Sequence, residues 1–383
     1  MADGGVCVSE SDLGAQRWAD AAKMSLGELD EAASRDPTDV AVQYYRGSEL
    51  ATRGRWREAA AALDIAMDLA PKDERVRMAG GIAYMGLGEN EKALKAFEQA
   101  AAINPKSVAA HCARGRALLA LNRITESLEV LDLAAALDPY SSGAHEGMGL
   151  AQYVLGWHDD ALGALGRAIA LNPKNVAARA WLGATLSEVG EVGEALEEYD
   201  RAIGLDPGLA YPRVLKCAVL RAHAGSARAL EEAELAVSLE PNNPLCLAMH
   251  AMILHDLGRS EEALSELCGV TEAHPGFGMA HGALGHVLFQ LGRNEEALER
   301  LRTAVKINPR DVMAHVEIIT ALLMLGRVAE SIDAADEARR QNPRAGIFYL
   351  YMGCVCKVKG MEKEAQKMFD IALHYDPKLV LPE

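Results

Sequence analysis

Histidine and cysteine are the residues of this chain whose types and spacing could bind a metal ion. Four histidines are separated by whole multiples of 34 residues: His111, His145, His281 and His315. Cys354 and Cys356 stand two residues apart. Imidazole nitrogen and thiolate sulfur are ligands that zinc prefers in proteins. In a helix, however, residues two apart project from different faces, so the two cysteines are predicted to be packing residues.

The four histidines are predicted to be structural for a geometric reason. Equivalent positions of a 34-residue period fall on successive packed helices, whose axes lie roughly 8 to 10 Å apart. That distance is wide for one metal ion to bridge. The same position elsewhere carries other amphipathic side chains: Gln43, Arg77, Arg179, Arg213 and Tyr349. Hydrogen-bonded structural histidines are therefore expected, with a metal site or a pH switch as the alternative.

No other group of residues in the sequence predicts catalysis or cofactor binding. The chain has no phosphate-binding GxxxxGK[ST], no GxGxxG after a strand, no HExxH, no GxSxG and no paired CxxC. A period that runs through nearly the whole chain also leaves no room for a separate catalytic domain. We therefore expect no enzyme activity, no catalytic residue, no bound metal and no cofactor.

The elements that carry these residues follow from the 34-residue period. Eleven of the 14 prolines lie 34 residues apart without an insertion or deletion: Pro37, Pro71, Pro105, Pro139, Pro173, Pro207, Pro241, Pro275, Pro309, Pro343 and Pro377. Repeats of this length are typical of a solenoid of two-helix units, which bury their apolar faces by stacking. With 50% hydrophobic and only 5% aromatic residues, the chain suits thin helical layers. The predicted fold class is all-α, in one elongated array.

Positions within the repeat predict where each helix begins and ends. Numbering each repeat from 1 to 34, with the recurrent proline at 32, gives ten full copies between Val40 and Leu379. Position 8 is glycine in seven copies, and position 20 is alanine in eight and serine in two, so two helix backbones are expected to approach closely there. Position 15 is glycine in eight copies, which predicts a left-handed C-cap for the first helix, and the proline ends the second.

These copies resemble tetratricopeptide repeats. The resemblance rests on a small residue at position 8, alanine at 20 and 27, proline at 32 and a large apolar or aromatic residue at 24. In eight copies position 24 reads Leu63, Phe97, Leu131, Leu165, Tyr199, Leu267, Leu301 and Phe369. The resemblance covers residues 40–379. It implies a right-handed α-solenoid that binds another protein in a concave groove formed by the first helices of the repeats.

Three regions are predicted along the chain. Residues 1–39 form a flexible start and a degenerate capping repeat, in which Ser11 to Met24 has the pattern of an amphipathic helix. Residues 40–379 form the ten full repeats, and residues 380–383 form a short tail. The sixth repeat departs most from the pattern, with Cys217 at position 8 and Ala233 at position 24. Its turn is predicted to be reshaped and its packing looser.

Charge and cysteine content bear on the partners and the location. A net charge of -16 disfavours unspecific binding to nucleic acid or to an anionic membrane. Seven scattered cysteines indicate a reducing compartment rather than a disulfide framework. The first ten residues lack the features of a signal peptide, Cys7 is a poor lipid-anchor candidate, and no window approaches ~18 consecutive apolar residues. A cytoplasmic location is predicted.

The resemblance places a candidate binding surface on positions 2, 5, 9, 12 and 13 of the first helices. Towards the C-terminus these positions are apolar and rich in methionine. Repeats eight to ten carry the residues that we predict to contact a partner: Met279, His286, Phe289, Gln290, Met313, Val316, Leu323, Met324, Ile347 and Leu350. Exposed apolar patches are typical of interaction sites, and methionine adapts to varied shapes. A role in the core is the alternative for the same residues.

Two functions fit this pattern. The first is an adaptor that binds a peptide segment or an amphipathic helix of another protein in the groove. The second is a structural protein that self-assembles into a homo-oligomer through its C-terminal end and convex surface. Family members that clamp a terminal carboxylate carry asparagine at positions 6 and 9, and this chain has none at either position. That mode of recognition is not expected.

Overall fold

The computed structural model describes residues 10–381, with residues 10–14 as backbone alone. Cys7, the flexible start predicted for residues 1–9 and the last two residues of the predicted tail lie outside the described residues. The part of the chain that is described contains 22 α-helices and no strand, so the predicted all-α fold class is confirmed. The chain divides into two compact units after Ala202.

The helices of each unit run in consecutive pairs. The N-terminal unit contains α1 (Glu10–Ala21), α2 (Leu26–Arg35), α3 (Val40–Thr52), α4 (Trp56–Leu69), α5 (Glu74–Leu87), α6 (Asn90–Ile103), α7 (Val108–Ala120), α8 (Ile124–Leu137), α9 (Ser142–Val154), α10 (His158–Leu171), α11 (Val176–Glu188) and most of α12 (Val192–Leu205). The C-terminal unit contains α13 (Tyr211–His223), α14 (Ser226–Leu239), α15 (Pro244–Asp256), α16 (Ser260–Ala273), α17 (Gly278–Gln290), α18 (Asn294–Ile307), α19 (Val312–Met324), α20 (Val328–Gln341), α21 (Gly346–Val358) and α22 (Glu362–Tyr375). From α3 onward each pair is one 34-residue repeat, and its odd-numbered helix comes first.

Most first helices begin at an N-cap side chain, at position 34 of the preceding period. In seven of the ten first helices this side chain accepts a hydrogen bond from backbone N–H groups of the first turn. The seven residues are Asp39, Asp73, Ser107, Ser141, Asn175, Asn243 and Asp311. Such a cap satisfies an otherwise unpaired donor and contributes typically about 1 kcal/mol. Local sequence therefore specifies the start of these helices.

The turn inside each repeat has the left-handed conformation that glycine at position 15 predicts. The glycines there have φ between 71° and 92°: Gly54, Gly88, Gly156, Gly190, Gly258, Gly292, Gly326 and Gly360. In repeat three Asn122 takes the same role with φ 58°. Glycine adopts positive φ at little cost, and asparagine tolerates it better than most residues. The predicted C-cap of the first helix is thus confirmed.

The glycine at position 8 lets the two helices of one repeat pack closely. A Cβ atom added at Gly285 would lie 2.6 Å from Leu301 Cγ, and one added at Gly115 would lie 2.7 Å from Leu131 Cγ. Both distances are far below the optimal separation of about 3.5 to 4.0 Å between carbon atoms. The large side chain at position 24 therefore occupies the space that a side chain at position 8 would need.

Two repeats reverse this size relationship. Repeat six pairs Cys217 at position 8 with Ala233 at position 24, and repeat nine pairs Ile319 with Ala335. All four side chains are buried, at 2% exposure or less. A larger residue on the first helix thus offsets a smaller one on the second. Neither position of repeat six therefore opens to solvent, and its looser packing stays a prediction.

The turn of repeat six is reshaped, as predicted. α13 ends at His223, and Gly225 adopts the positive φ of 92° one place later than in the other repeats. The extra proline of this repeat, Pro212, lies in the first turn of α13. A missing N–H is harmless there, because the first turn of a helix has no backbone acceptor for it. Repeat six therefore keeps its helix pair despite its unusual sequence.

The helix predicted between Ser11 and Met24 is α1, and it covers the first full repeat. The Trp18 ring contacts the rings of Tyr44 and Tyr45, at centroid distances of 5.1 and 5.9 Å. The guanidinium carbon of Arg75 lies 3.9 Å from the Trp18 ring centroid. An atypical terminal repeat of this kind shields apolar surface that would otherwise meet water.

Candidate partner-binding surface

Position 4 of the repeat, where the four histidines stand, supports the turn between repeats. The Nε2 atoms of these histidines lie 2.9 to 3.2 Å from the carbonyl oxygen of the recurrent proline six residues earlier. The four are His111, His145, His281 and His315. Four other side chains at this position donate to the same carbonyl: Gln43, Arg77, Arg179 and Tyr349. The prediction of hydrogen-bonded structural histidines is confirmed. Histidine, glutamine, arginine and tyrosine share a side-chain N–H or O–H that is long enough to reach the proline carbonyl oxygen.

The six described cysteines are free thiols, of which Cys112, Cys217 and Cys246 are buried and Cys268 is exposed. Cys354 and Cys356 are both half-buried on α21, and the four other described cysteines are likewise unpaired. Burial raises the pKa of the Cys217 thiol to about 12 and that of Cys246 to about 11. A thiol whose pKa is raised in this way is a weak nucleophile at neutral pH.

Two further kinds of site are absent from residues 10–381, the part of the chain that the structure describes. Within that range no group of three or more histidine, cysteine or acidic side chains is placed to bind a metal ion. No helix of the same range is both long enough and apolar enough to cross a lipid bilayer.

The ten residues predicted to contact a partner lie on α17, α19 and α21, and we call them the first-helix surface. Five are exposed: Met279, Gln290, Met313, Leu323 and Met324. Five are half-buried: His286, Phe289, Val316, Ile347 and Leu350. The exposed fraction reaches 65% for Met313 and 69% for Met324. Large apolar side chains are therefore held in water at the outer positions of this surface.

Three of the half-buried residues also belong to the core. Phe289 packs against the apolar cluster formed by α15 to α19. Val316 and Ile347 pack against the cluster that contains Ile319 and Phe348. The alternative role in the core therefore applies to these three, and substituting them would change stability together with any binding.

Polar contacts connect neighbouring first helices on this side of the C-terminal unit. The His286 ring Nδ1 on α17 is hydrogen-bonded to the carboxylate of Glu317 on α19, which is only 8% exposed. Thr320 Oγ1 on α19 lies 3.4 Å from Tyr351 Oη on α21. These bonds link α17 to α19 and α19 to α21, the three helices that carry the first-helix surface.

A second histidine, His255 on α15, lies beside His286 and extends these polar contacts to a further first helix. The ring centroids of His255 and His286 are 6.1 Å apart, and His255 Nδ1 lies 2.9 Å from Ser260 Oγ. Burial lowers the pKa of His255 below its ordinary value, and the nearby His286 lowers it further, while Asp256 opposes the shift. Both effects disfavour the positively charged form of His255.

The N-terminal unit has an apolar concavity of its own, which the sequence analysis did not select. It measures about 610 Å³ and is lined by side chains of α3, α4 and α5, together with Ala109. Met78 and the 49% exposed Ile82 line it from positions 5 and 9 of repeat two. A Cβ at Gly86 would collide with the Trp56 ring, so that ring rests against the backbone of α5. Apolar residues at positions 5 and 9 were the sequence signal for this concavity.

Comparison with known proteins shows the family. A family model described as a tetratricopeptide repeat matches residues 78–142, 147–210 and 283–346, about half of the chain. The chain therefore belongs to the tetratricopeptide repeat family, whose α-solenoid fold generally serves as a scaffold for protein–protein interaction. Among curated protein sequences, none matches this chain significantly.

Solved structures with a similar fold differ widely from this chain in sequence. Yeast Tom70 is 13% identical over 95% of this chain and 91% of its own, with a TM-score of 0.55. A chain of the APC/C hetero-tetramer Cut9–Hcn1 is 12% identical over 97% of this chain and 95% of its own, with a TM-score of 0.51. TTC0263, a tetratricopeptide repeat protein of Thermus thermophilus, is 23% identical over 48% of this chain and 100% of its own, with a TM-score of 0.44. Likeness at this level of identity shows the fold alone.

Proposed function

We propose that the chain is an adaptor that binds a segment of another protein on the first-helix surface and performs no chemistry of its own. The observation that carries the proposal is the exposure of four large apolar side chains: Met279, Met313, Leu323 and Met324. Burying apolar surface is worth roughly 25 cal/mol per Å², so a partner that covers them gains free energy. Exposed apolar residues that lie together on a folded surface are typical of an interaction site.

The proposed occupant is an amphipathic helix or an extended segment with large apolar side chains at intervals. Met279 and Met313 occupy position 2 of adjacent repeats, so they present equivalent apolar contacts on neighbouring helices. The half-buried His286 and the exposed Gln290 add polar groups to the same surface. Recognition of a helix or strand in a groove combines apolar anchors with a few polar groups that set its register.

The test is capture of partners from an extract of the source cell, followed by affinity measurement with the identified partner. Met313→Glu and Leu323→Glu should each weaken binding by about 2 kcal/mol or more, because binding energy concentrates in a few large residues. Leu235→Glu is the matched control, since Leu235 is a 48% exposed leucine on the second helix α14. Phe289→Ala should also weaken binding, but it removes core contacts as well.

Ile82→Glu distinguishes the two apolar surfaces of the chain. If this substitution abolishes capture while Met313→Glu and Leu323→Glu leave it unchanged, the concavity of the N-terminal unit is the binding site and the first-helix surface is not. If all three variants bind the identified partner as tightly as wild type, neither surface carries the function.

Self-assembly through the C-terminal end and the convex surface is the second candidate function. Val380 is 85% exposed there, which favours a contact with another molecule. Leu379, in contrast, is half-buried, and its Cδ1 would lie 3.1 Å from a Cβ at Gly346, so this side chain covers the start of α21. Replacing residues 379–381 with serine should convert an oligomer into a monomer in light scattering. A wild-type chain that is monomeric at high concentration excludes this candidate.

We further propose a reducing compartment, the cytoplasm, as the location of this adaptor. The support is the free state of all six described cysteines. A fluorescent fusion observed in the source cell tests the location, and signal confined to an oxidising compartment contradicts it.

A further inference from the structure

Repeat nine lacks the large residue that fills the space between neighbouring helices in most repeats. Ala335 stands at position 24, where eight repeats have leucine, phenylalanine or tyrosine. Ile319 at position 8 takes up part of the space, and a cavity of about 220 Å³ remains between α19, α20 and α21. Besides Ala335, its wall consists mainly of Ile319, Leu323, Ile332, Tyr351, Val355 and Val358. We call this cavity the Ala335 pocket.

A small residue at position 24 does not by itself produce an apolar pocket. Repeat six has Ala233 at the same position, and its side chain is buried at 1% exposure. The nearby cavity of that repeat is lined largely by charged side chains: Lys216, Arg228, Glu231 and Glu232. The apolar wall of the Ala335 pocket therefore distinguishes repeat nine from repeat six.

The size and wall of the Ala335 pocket suit one large apolar side chain. Apolar cavities of about 150 Å³ bind benzene, so about 220 Å³ accommodates a phenyl ring or a branched aliphatic side chain. The pocket opens to solvent beside Leu323, Val328 and Val358, whose exposed fractions are 43%, 53% and 89%. Its mouth thus offers further apolar contact to whatever enters.

The charge at the mouth of the pocket indicates which type of partner residue lies next to the inserted apolar side chain. Lys359 lines the pocket, and its ammonium group makes no hydrogen bond or ion pair with any residue of the described range 10–381. Residues 357–367 contain four lysines and two glutamates, although the whole chain has a net charge of -16. The excess of lysine over glutamate in this segment attracts a carboxylate of the partner.

We propose that the Ala335 pocket receives one phenylalanine or leucine side chain of the bound partner segment, next to an aspartate or glutamate that pairs with Lys359. The inference rests on the proposed function, because Leu323 belongs both to the first-helix surface and to the pocket wall. One bound segment therefore contacts both. A large side chain inserted into a desolvated pocket typically dominates the binding energy of an interface.

The experiment is selection of a phage-displayed random dodecapeptide library on the full chain. Selected peptides should share a phenylalanine or leucine beside an aspartate or glutamate. Ala335→Leu fills the pocket and should lower the affinity of these peptides at least tenfold. Ala329→Leu is the matched control, because Ala329 is an exposed alanine of the same helix. Lys359→Glu should also lower the affinity at least tenfold, whereas Lys306→Glu, at an exposed lysine of α18, should not.

Phenylacetate provides a second measurement that does not depend on any variant. It joins an aromatic ring to a carboxylate, so titration into methyl-labelled protein should shift the NMR signals of Ile319 and Ile332 in the pocket wall. Benzylamine has the opposite charge and should shift them far less at equal concentration. The absence of shifts with phenylacetate overturns the pocket, whether or not Ala335→Leu folds.

The outcomes separate this inference from the proposed function. Peptides that bind Met313→Glu weakly but bind Ala335→Leu as tightly as wild type overturn the pocket and leave the first-helix surface in place. If no peptide is selected and phenylacetate causes no shift, both proposals fail.

Discussion

Gly149 and Leu165 are packed so closely that no methyl group fits between them: a Cβ added at Gly149 would lie 2.5 Å from Leu165 Cγ and 3.3 Å from the Leu165 backbone nitrogen. Because backbone as well as side chain is in the way, relaxation of Leu165 alone does not relieve the contact. Gly149→Ala should therefore lower the free energy of unfolding by about 1 to 3 kcal/mol in urea denaturation.

The control for this substitution lies on the facing helix. Gly163 is an exposed helical glycine of α10, with nothing within 4 Å of the position of its Cβ. Gly163→Ala should raise stability by about 0.5 to 1 kcal/mol, because alanine is the better helix former. Since repeats stack on their neighbours, Gly149→Ala should leave distant repeats helical by circular dichroism. Complete loss of the helical signal would argue against this view of the fold.

In repeat six the larger side chain, Cys217, is on the first helix and the smaller one, Ala233, is on the second. Substitutions at these two positions should therefore be energetically coupled. Ala233→Leu alone should destabilise by about 1 to 3 kcal/mol, because the buried Cys217 occupies the space that the leucine needs. Adding Cys217→Gly recreates the glycine and leucine pair of repeat four and should recover much of that loss. A double-mutant cycle measured by denaturation should give an interaction energy above about 0.5 kcal/mol. If the two changes in the free energy of unfolding simply add, the side chains at positions 217 and 233 do not compete for the same space.

The turn between repeats should depend on the hydrogen-bond donor at position 4. His111→Leu leaves the Pro105 carbonyl without the bond from Nε2, now 3.0 Å away, and should cost about 1 to 3 kcal/mol. His111→Gln should cost less, because Gln43 makes the equivalent bond to the Pro37 carbonyl at 3.0 Å. Urea denaturation ranks the two variants, and equal losses would show that the donor is unimportant.

Three first helices lack the capping side chain that the other seven have, and α21 is one of them. Ala345 precedes α21 with φ -81° and ψ 100°, close to the φ -70° and ψ 96° of Asp311, whose carboxylate accepts from the Ala314 N–H. The backbone is therefore already shaped for a cap. Ala345→Asp should stabilise the chain by about 0.5 to 2 kcal/mol, and Asp311→Ala should destabilise it by a similar amount. Thermal denaturation should move the two midpoints in opposite directions.

Stability should decrease at mildly acidic pH partly because of His255. Its pKa is lowered in the folded chain, chiefly by burial and then by His286, so the unfolded chain binds a proton more readily. Stability from this group is therefore complete above the ordinary imidazole pKa of about 6.5 and declines as the pH falls below it. His255→Gln should make the decline between pH 7 and pH 5 shallower. A slope for His255→Gln equal to that of the wild type would contradict this role of His255.

The helices, their ends and their pairing followed from the sequence because these features are local. A proline at position 32 ends a helix through its own ring and missing N–H, and Gly292 accepts φ 75° because it has no Cβ. Small residues recurred at positions 8 and 20 in a fixed register, so the close approach of two helices could be predicted from the sequence. The structure added that the large side chain at position 24 fills the space beside position 8. The N-caps at position 34 are equally local, although the sequence patterns described above did not predict them.

Only the tertiary structure decided which side chains of the first-helix surface are free to bind. Phe289 and Met313 both occupy positions that the repeat pattern assigns to the groove, yet Phe289 packs on the core and Met313 is 65% exposed. The difference depends on which neighbouring helix covers each side chain, and a periodic pattern does not contain that information. The Ala335 pocket has the same origin, because an alanine leaves a cavity only where Ile319, Tyr351 and Val355 from other helices do not close the space.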